Sequence, residues 1–323
     1  MTFRQLATWL ESDLAEVRAH MARALEPEIA SGQFARVLCE AAENSGKMLR
    51  PILMLLVAGD YDEAHRDELL VTAACYELGH TASLILDDVI DGASLRRGKP
   101  SVQSSYGEPV ALCTSDYLLM AAQGYLVQEG YARSVAEMAR LVRVMCAGEM
   151  VQYEHLHDCA ATRDTYLAAV RRKTASLFES CCGLAALITG KSDDCVAAMR
   201  AFGETLGVMF QVRDDLKDWT DDEQGAGKPV NEDFSEGIYT LPAIHAFAND
   251  EVGDRLRELA SIERPSAGDL AEARRLVTEA GGIEHARAYL EDLAEQAGSQ
   301  LAVLPEGPHR DALRGIVRLV AHE

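Results

Sequence analysis

Long hydrophobic runs are missing from this chain. The longest, Ile52–Ala58, spans seven residues, whereas a membrane-spanning helix needs about twenty. No transmembrane segment is expected. The N-terminus, Met1-Thr2-Phe3-Arg4, is amphipathic and has no charged stretch leading into an apolar one, so no signal peptide is expected either. Positive charge is scarce too. Thirty-one Lys and Arg stand against 52 Asp and Glu in 323 residues, a net charge of −21. Such acidity argues against nucleic acid and anionic membranes as partners. It makes an anionic substrate puzzling, unless metal ions bridge acid to acid. Alternating β-branched runs are absent, and there are only nine Pro, mostly at punctuation points. No Ser/Gly/Pro-rich linker, repeat or low-complexity tract divides the chain. A single domain over 1–323 is expected.

The eight cysteines (39, 75, 113, 146, 159, 181, 182 and 195) include no pair at metal-ligand spacing. They read as small buried hydrophobes in a reducing cytosol, which predicts a cytoplasmic location.

What is present is helix. The hydrophobic fraction of 48% is that of a folded protein. Apolar residues recur at three-and-four spacing, predicting helices near 2–25, 33–43, 50–60, 65–92, 108–129, 133–157, 163–188, 192–221, 238–247, 252–261, 267–279, 283–302 and 307–321. Pro27 separates the first two. The fold class is all-α, a large helical bundle. Residues 221–236 read as one long polar loop.

Two acidic clusters stand out. Asp87-Asp88-Val89-Ile90-Asp91 closes an apolar helical stretch, and Asp214-Asp215-Leu216-Lys217-Asp218 closes another. In each, the first and last Asp are four apart and share a helix face, where like charges repel. A helix C-terminus disfavours negative charge further. One such cluster has a plain reading as a solvated helix end; two of identical spacing point to divalent metal. All-carboxylate oxygen donors suit Mg²⁺, which also takes phosphate oxygens. Two clusters of this kind could clamp a diphosphate. Cations sit at helix ends or polar loops: Lys47, Arg50, Arg96, Arg97, Lys173 and Lys228. Singly, each reads as solvated surface charge. The loop Gly225–Pro229 around Lys228 does not fit a Walker motif.

These residues resemble the trans-type polyprenyl diphosphate synthases. The match runs through Gly46-Lys47-Met48-Leu49-Arg50-Pro51, Glu77 to Asp91, Arg96-Arg97-Gly98-Lys99-Pro100-Ser101, Gly148-Glu149 with Gln152, and Lys173-Thr174-Ala175. It continues through Phe210-Gln211, Asp214-Asp215 with Asp218, Gly227-Lys228-Pro229, Asp233 and Thr240-Leu241-Pro242. The resemblance implies an all-α bundle around a deep central cavity, usually a homodimer. It implies head-to-tail condensation of isopentenyl diphosphate with an allylic diphosphate, with three Mg²⁺ ions per active site. Asp87, Asp88, Asp91, Asp214, Asp215 and Asp218 would bind metal. Arg96, Lys173 and Lys228 would hold the allylic diphosphate, with Thr174 and Gln211 nearby. Lys47, Arg50, His80 and Arg97 would form a metal-free isopentenyl diphosphate pocket; His80 read alone is a satisfied core histidine. Asp87, Asp88, Lys173, Thr174, Gln211 and Asp214 make the catalytic set. Leu86, Met48 and Cys113–Asp116 depart from the family pattern without touching the metal carboxylates.

The product tail would grow along the helix ending at Asp87, past Ser83, Ala82, Gly79, Tyr76 and Cys75. Positions close to the Asp cluster are small. Tyr76 is the first large side chain, about 16 Å away at 1.5 Å per residue. The expected product is about C30–C40, with C20–C25 as the alternative. A terpene cyclase, or a catalytic subunit needing a small partner, is the competing reading.

Overall fold

The computed structural model describes residues 2–25, 33–43, 46–220 and 231–322. The chain is almost wholly helical. Contacts group it into two compact units. The first comprises Met1–Arg140, Ser180–Met199 and Leu304–Ile316; the second comprises Leu141–Glu179, Arg200–Val303 and Val317–Glu323. The boundaries fall inside helices rather than in linkers.

In the first unit the helices are α1 (Phe3–Trp9), α2 (Glu11–Leu25), α3 (Gln33–Glu43), α4 (Leu49–Ala58), α5 (Glu63–Ile90), α6 (Val102–Tyr106) and α7 (Glu108–Gln128). Helix α5 is the core element. Leu69, Leu70, Val71, Ala73, Ala74, Cys75, Tyr76 and Leu78 are all but inaccessible on every side. A helix apolar all round must be buried all round, and α2, α4 and above all α7 cover it. Ser115 Oγ of α7 donates to the Ala82 carbonyl at 2.8 Å, and a Cβ on Gly79 would sit 3.9 Å from Leu119. The expected α5–α7 pairing is therefore present. By length and composition α5 and α7 are apolar enough to cross a membrane, although 78% of the apolar window of α5 is buried within the fold. Run length misses this because single polar residues interrupt the apolar surface.

Helices α8 (Ala132–Glu154), α10 (Ser176–Ile188), α11 (Asp193–Thr220) and α17 (Pro308–His322) run through the unit boundaries. The second unit also holds α9 (Arg163–Val170), a π-helical turn (Arg171–Ala175), α12 (Glu232–Ser235), α13 (Leu241–Phe247), α14 (Gly253–Ala260), α15 (Ala267–Glu279) and α16 (Gly282–Gln300). Its core contains an aromatic chain: Trp219 meets Phe234, Phe234 meets Tyr239, and Tyr239 meets Phe247, with centroids 4.9–5.7 Å apart. The Trp219 indole donates to Thr240 Oγ1 at 3.3 Å.

The helix expectations hold with local differences. The first helix breaks at Leu10, the 163–188 helix contains the π turn, and α12 falls where a continuous polar loop was expected. Pro27 and residues 221–230 lie outside the described residues. One β-hairpin, Leu95–Arg96 against Lys99–Pro100, was not expected. All eight cysteines are free, but only Cys75, Cys181, Cys182 and Cys195 are buried. Cys113 and Cys146 are exposed, contrary to the reading of all eight as core residues; each lies on the outer face of a helix covered on one side only.

Candidate active site

In the first unit, Asp87 and Asp88 end α5, and Asp91 caps it by donating its backbone N–H to the Asp87 carbonyl at 2.8 Å. Beyond them the chain turns back in the two-strand hairpin. Its two loop residues, Arg97 (φ 53°) and Gly98 (φ 74°), both take positive φ, as the tight primed turns of hairpins require. The turn brings Arg96 onto the acidic cluster. Asp88, 3% exposed, accepts from Arg96 Nε at 2.7 Å, and Arg96 Nη2 reaches the same oxygen at 2.5 Å. Gln103 ties the corner by donating to the Ala93 carbonyl at 2.9 Å.

The expected isopentenyl diphosphate residues also gather here. Gly46 has φ +84°, and a Cβ there would fall 2.2 Å from Arg97 Nη1. The Arg97 guanidinium thus packs directly on the Gly46-Lys47 backbone. Lys47 Nζ lies 5.4 Å from the Phe3 ring centroid. His80 is buried on α5, and burial, reinforced by Arg50, Arg97 and Arg96, holds its pKa well below the usual imidazole value. It is a neutral hydrogen-bonding group, not a cation. A cavity of about 330 Å³ opens beside these groups, lined by Gly46, Thr81, Asp88, Arg96, Arg97 and Lys99 among others.

In the second unit, the π turn carries Lys173 and Thr174. Gly148 of α8 makes room for it, since a Cβ there would sit 2.4 Å from the Lys173 backbone nitrogen. Glu149, the next residue, accepts from Lys173 Nζ at 2.7 Å. Across α11, Gly203 and Gly207 let the backbones close: added Cβ atoms would lie 2.3 Å from the Phe178 carbonyl oxygen and 2.5 Å from Ala175 Cα. This places Thr174 Oγ1 in position to donate to Gln211 Oε1 at 2.8 Å. Gln211 Nε2 donates in turn to Asp215 Oδ1 at 2.8 Å, and the Tyr166 hydroxyl donates to Asp215 Oδ2.

Both oxygens of Asp215 are therefore held by protein donors. Burial raises its pKa; the Tyr166 and Gln211 bonds oppose the rise, and Asp214 and Asp218 add to it. Burial also raises Asp233, with Asp215 and Asp218 as the next causes. Asp218 Oδ1 accepts the Glu232 backbone N–H at 3.0 Å and so caps α12. Its other oxygen is buried with no hydrogen-bond partner among the described residues. The Asp214 side chain is the open one, 70% exposed.

Among the described residues, no three His, Cys, Asp or Glu side chains converge as metal ligands. The reason is local: with like charges on one helix face, Asp88, Asp215 and Asp218 bond to nearby donors. The donor chemistry still fits a hard divalent cation. The groups are all carboxylates, crowded at i and i+4, and one buried oxygen of Asp218 has no donor.

Of the chain-length candidates, Cys75, Tyr76 and Ala82 are buried, and Gly79 and Ser83 half-buried. The Tyr76 hydroxyl is pinned 2.8 Å from Ser180 Oγ, which donates to Glu137 at 3.1 Å. Lys228 lies outside the described residues. Sequence reasoning did not single out Tyr166 or Gln103, because their partners are distant along the chain. Glu77 was quoted only inside a motif, though it shares a helix face with His80 three residues on.

A family model described as Polyprenyl synthetase matches residues 32–277. The chain is 35% identical over 290 residues to solanesyl diphosphate synthase 1, chloroplastic, of Arabidopsis thaliana, covering 87% of this chain and 71% of that protein. It is 30% identical over 318 residues to heptaprenyl diphosphate synthase component 2 of Geobacillus stearothermophilus, covering 98% and 97%. A polyprenyl synthase from Caulobacter crescentus CB15, solved in complex with calcium and isoprenyl diphosphate, superposes with a TM-score of 0.89 at 27% identity, covering 100% and 98%.

Proposed function

Since the chain belongs to the polyprenyl synthetase family and is a prenyltransferase, we propose that it condenses isopentenyl diphosphate head to tail with an allylic diphosphate, in an Mg²⁺-dependent reaction. The product is an all-trans polyprenyl diphosphate of about C30–C40. The observation that carries this reading is the cavity beside Asp88, where a buried carboxylate meets Arg96 and Arg97. A carboxylate to hold metal next to two guanidiniums complements a metal-bound diphosphate.

Asp87, Asp88, Asp91, Asp214, Asp215 and Asp218 would hold the metal. The metal, when bound, neutralises charge growing on the departing diphosphate. Arg96, Lys173 and Lys228 grip the allylic diphosphate. As its C–O bond breaks, a delocalised carbocation forms, and Thr174 and Gln211 line it as uncharged polar groups. Their mutual hydrogen bond keeps their lone pairs oriented. Lys47, Arg50, His80 and Arg97 hold isopentenyl diphosphate, whose double bond attacks the cation to form the new C–C bond. A proton then leaves the resulting cation for the departing diphosphate, so no protein base is required. Water must stay out, since it would quench the cation.

A homodimer in the cytoplasm fits this reading. Leu112, Met120 and Val127 form an exposed apolar stripe on one face of α7, as a self-association surface requires. The second reading, a catalytic subunit needing a partner, draws on the relative that is named a component. The test is product analysis by mass spectrometry, with Mg²⁺, isopentenyl diphosphate and C5, C10, C15 or C20 primers supplied separately. A ladder ending at one chain length is expected. No elongation from any primer would exclude a self-sufficient synthase.

A further inference from the structure

Glu77 is a buried acid that no step above uses. It lies in the most apolar part of α5, 1% exposed, between Tyr76 and Leu78. Neither of its carboxyl oxygens has a hydrogen-bond partner among the described residues. An unsatisfied buried carboxyl is costly, and proteins keep such groups chiefly at functional sites. The charges that act on it are Arg50 first and Arg97 second. Both belong to the set assigned to isopentenyl diphosphate. His80, from the same set, follows Glu77 by three residues and so shares its helix face. The other polar neighbour is the buried thiol of Cys181.

We propose that Glu77 is a positioning residue for isopentenyl diphosphate: its carboxylate is the buried counter-charge that aims the Arg50 guanidinium at the diphosphate. The inference rests on the function assigned above and names the residue behind its binding pocket. Burial opposes the charge on Arg50. A long, desolvated guanidinium keeps one orientation only where an anion fixes it. Glu77 stands on the core side of Arg50, leaving the opposite side for substrate. Nothing links Glu77 to Lys173, Thr174 or Gln211, so the allylic substrate should not sense it.

The test is steady-state kinetics of Glu77→Gln, which keeps the shape and removes the charge. The KM for isopentenyl diphosphate is expected to rise about tenfold, the loss of one charge-assisted contact. The KM for the allylic diphosphate and kcat should stay within about twofold. Glu77→Asp, which keeps the charge, should recover part of the loss. An unchanged KM for isopentenyl diphosphate overturns the role. So does an equal loss in all three parameters, which marks a purely structural residue. If Glu77→Gln does not fold, Glu77→Asp alone decides: a shorter carboxylate should raise that one KM severalfold, and no change refutes the proposal. A wild-type chain that makes no product with any primer overturns the assigned reaction itself, and this role with it.

Discussion

Gly148 has no room for a methyl group, because the Lys173 backbone nitrogen occupies the space a Cβ would need. Gly148→Ala must push the π turn away, at about 1–3 kcal/mol for overpacking. Since Lys173 and Thr174 ride on that turn, turnover should fall with stability, measured by kcat and thermal melting together. The metal carboxylates behave differently. Asp87→Ala and Asp214→Ala remove charge from half-buried or exposed positions, so circular dichroism should be unchanged while turnover drops by orders of magnitude. Near-normal turnover would refute the metal roles. Glu77 makes a third prediction. Burial, opposed by Arg50 and Arg97, lifts its pKa from 4.5 to about 7. The unfolded chain releases that proton first, so the folded state binds more protons between pH 4.5 and 7, and stability falls as pH rises through that window. At pH 8 the cost is about 3 kcal/mol at 1.36 kcal/mol per unit. Glu77→Gln should therefore raise the melting temperature more at pH 8 than at pH 5.5; an equal gain at both would contradict the assignment. The acidic triplets and the cations were legible in the sequence because spacing along a helix dictates which side chains share a face. Tyr166 was not. Its partner Asp215 is 49 residues away, and nothing local signals it.

At the scale of elements, apolar periodicity located the long helices to within a few residues, because each must bury one face. It could not find the hairpin, since two-residue strands have no period to read. The only trace of that turn was Arg97-Gly98, where a non-glycine residue takes positive φ. The π turn was equally invisible: one extra residue shifts the apolar phase without breaking it. Helix α5 carries the chain-length prediction. Ala82 is buried against α7 and Tyr76 is anchored to Ser180. A phenylalanine at 82 should narrow the path well before Tyr76. Ala82→Phe should therefore shorten the product seen by mass spectrometry, and an unchanged ladder would disprove the tunnel account. The Gly203 and Gly207 pair makes the seam of α11, four residues apart with both backbones in contact.

For the whole molecule, a net charge of −21 makes divalent cations part of the stability as well as of the chemistry. An ion that binds only the folded state stabilises it in proportion to the logarithm of its concentration over its Kd. Mg²⁺ should raise the melting temperature of the wild type, and EDTA should abolish both that gain and turnover. The gain should shrink in a double Asp87→Ala, Asp214→Ala variant. An equal shift there would place the ions elsewhere on the acidic surface.

The π turn at Arg171–Ala175 is, in genetic terms, one codon too many for a regular helix. Removing any one of those five residues would let an unbroken α-helix form from Arg163 to Ile188, with better internal hydrogen bonding. It would also rotate everything before the turn by about 100° against everything after it. Tyr166 could no longer reach Asp215 while Phe178 still stacks on Phe210, 5.1 Å away. A shorter gene would thus encode a more regular helix in a protein that has lost its chemistry, and only selection on activity keeps the extra codon in place.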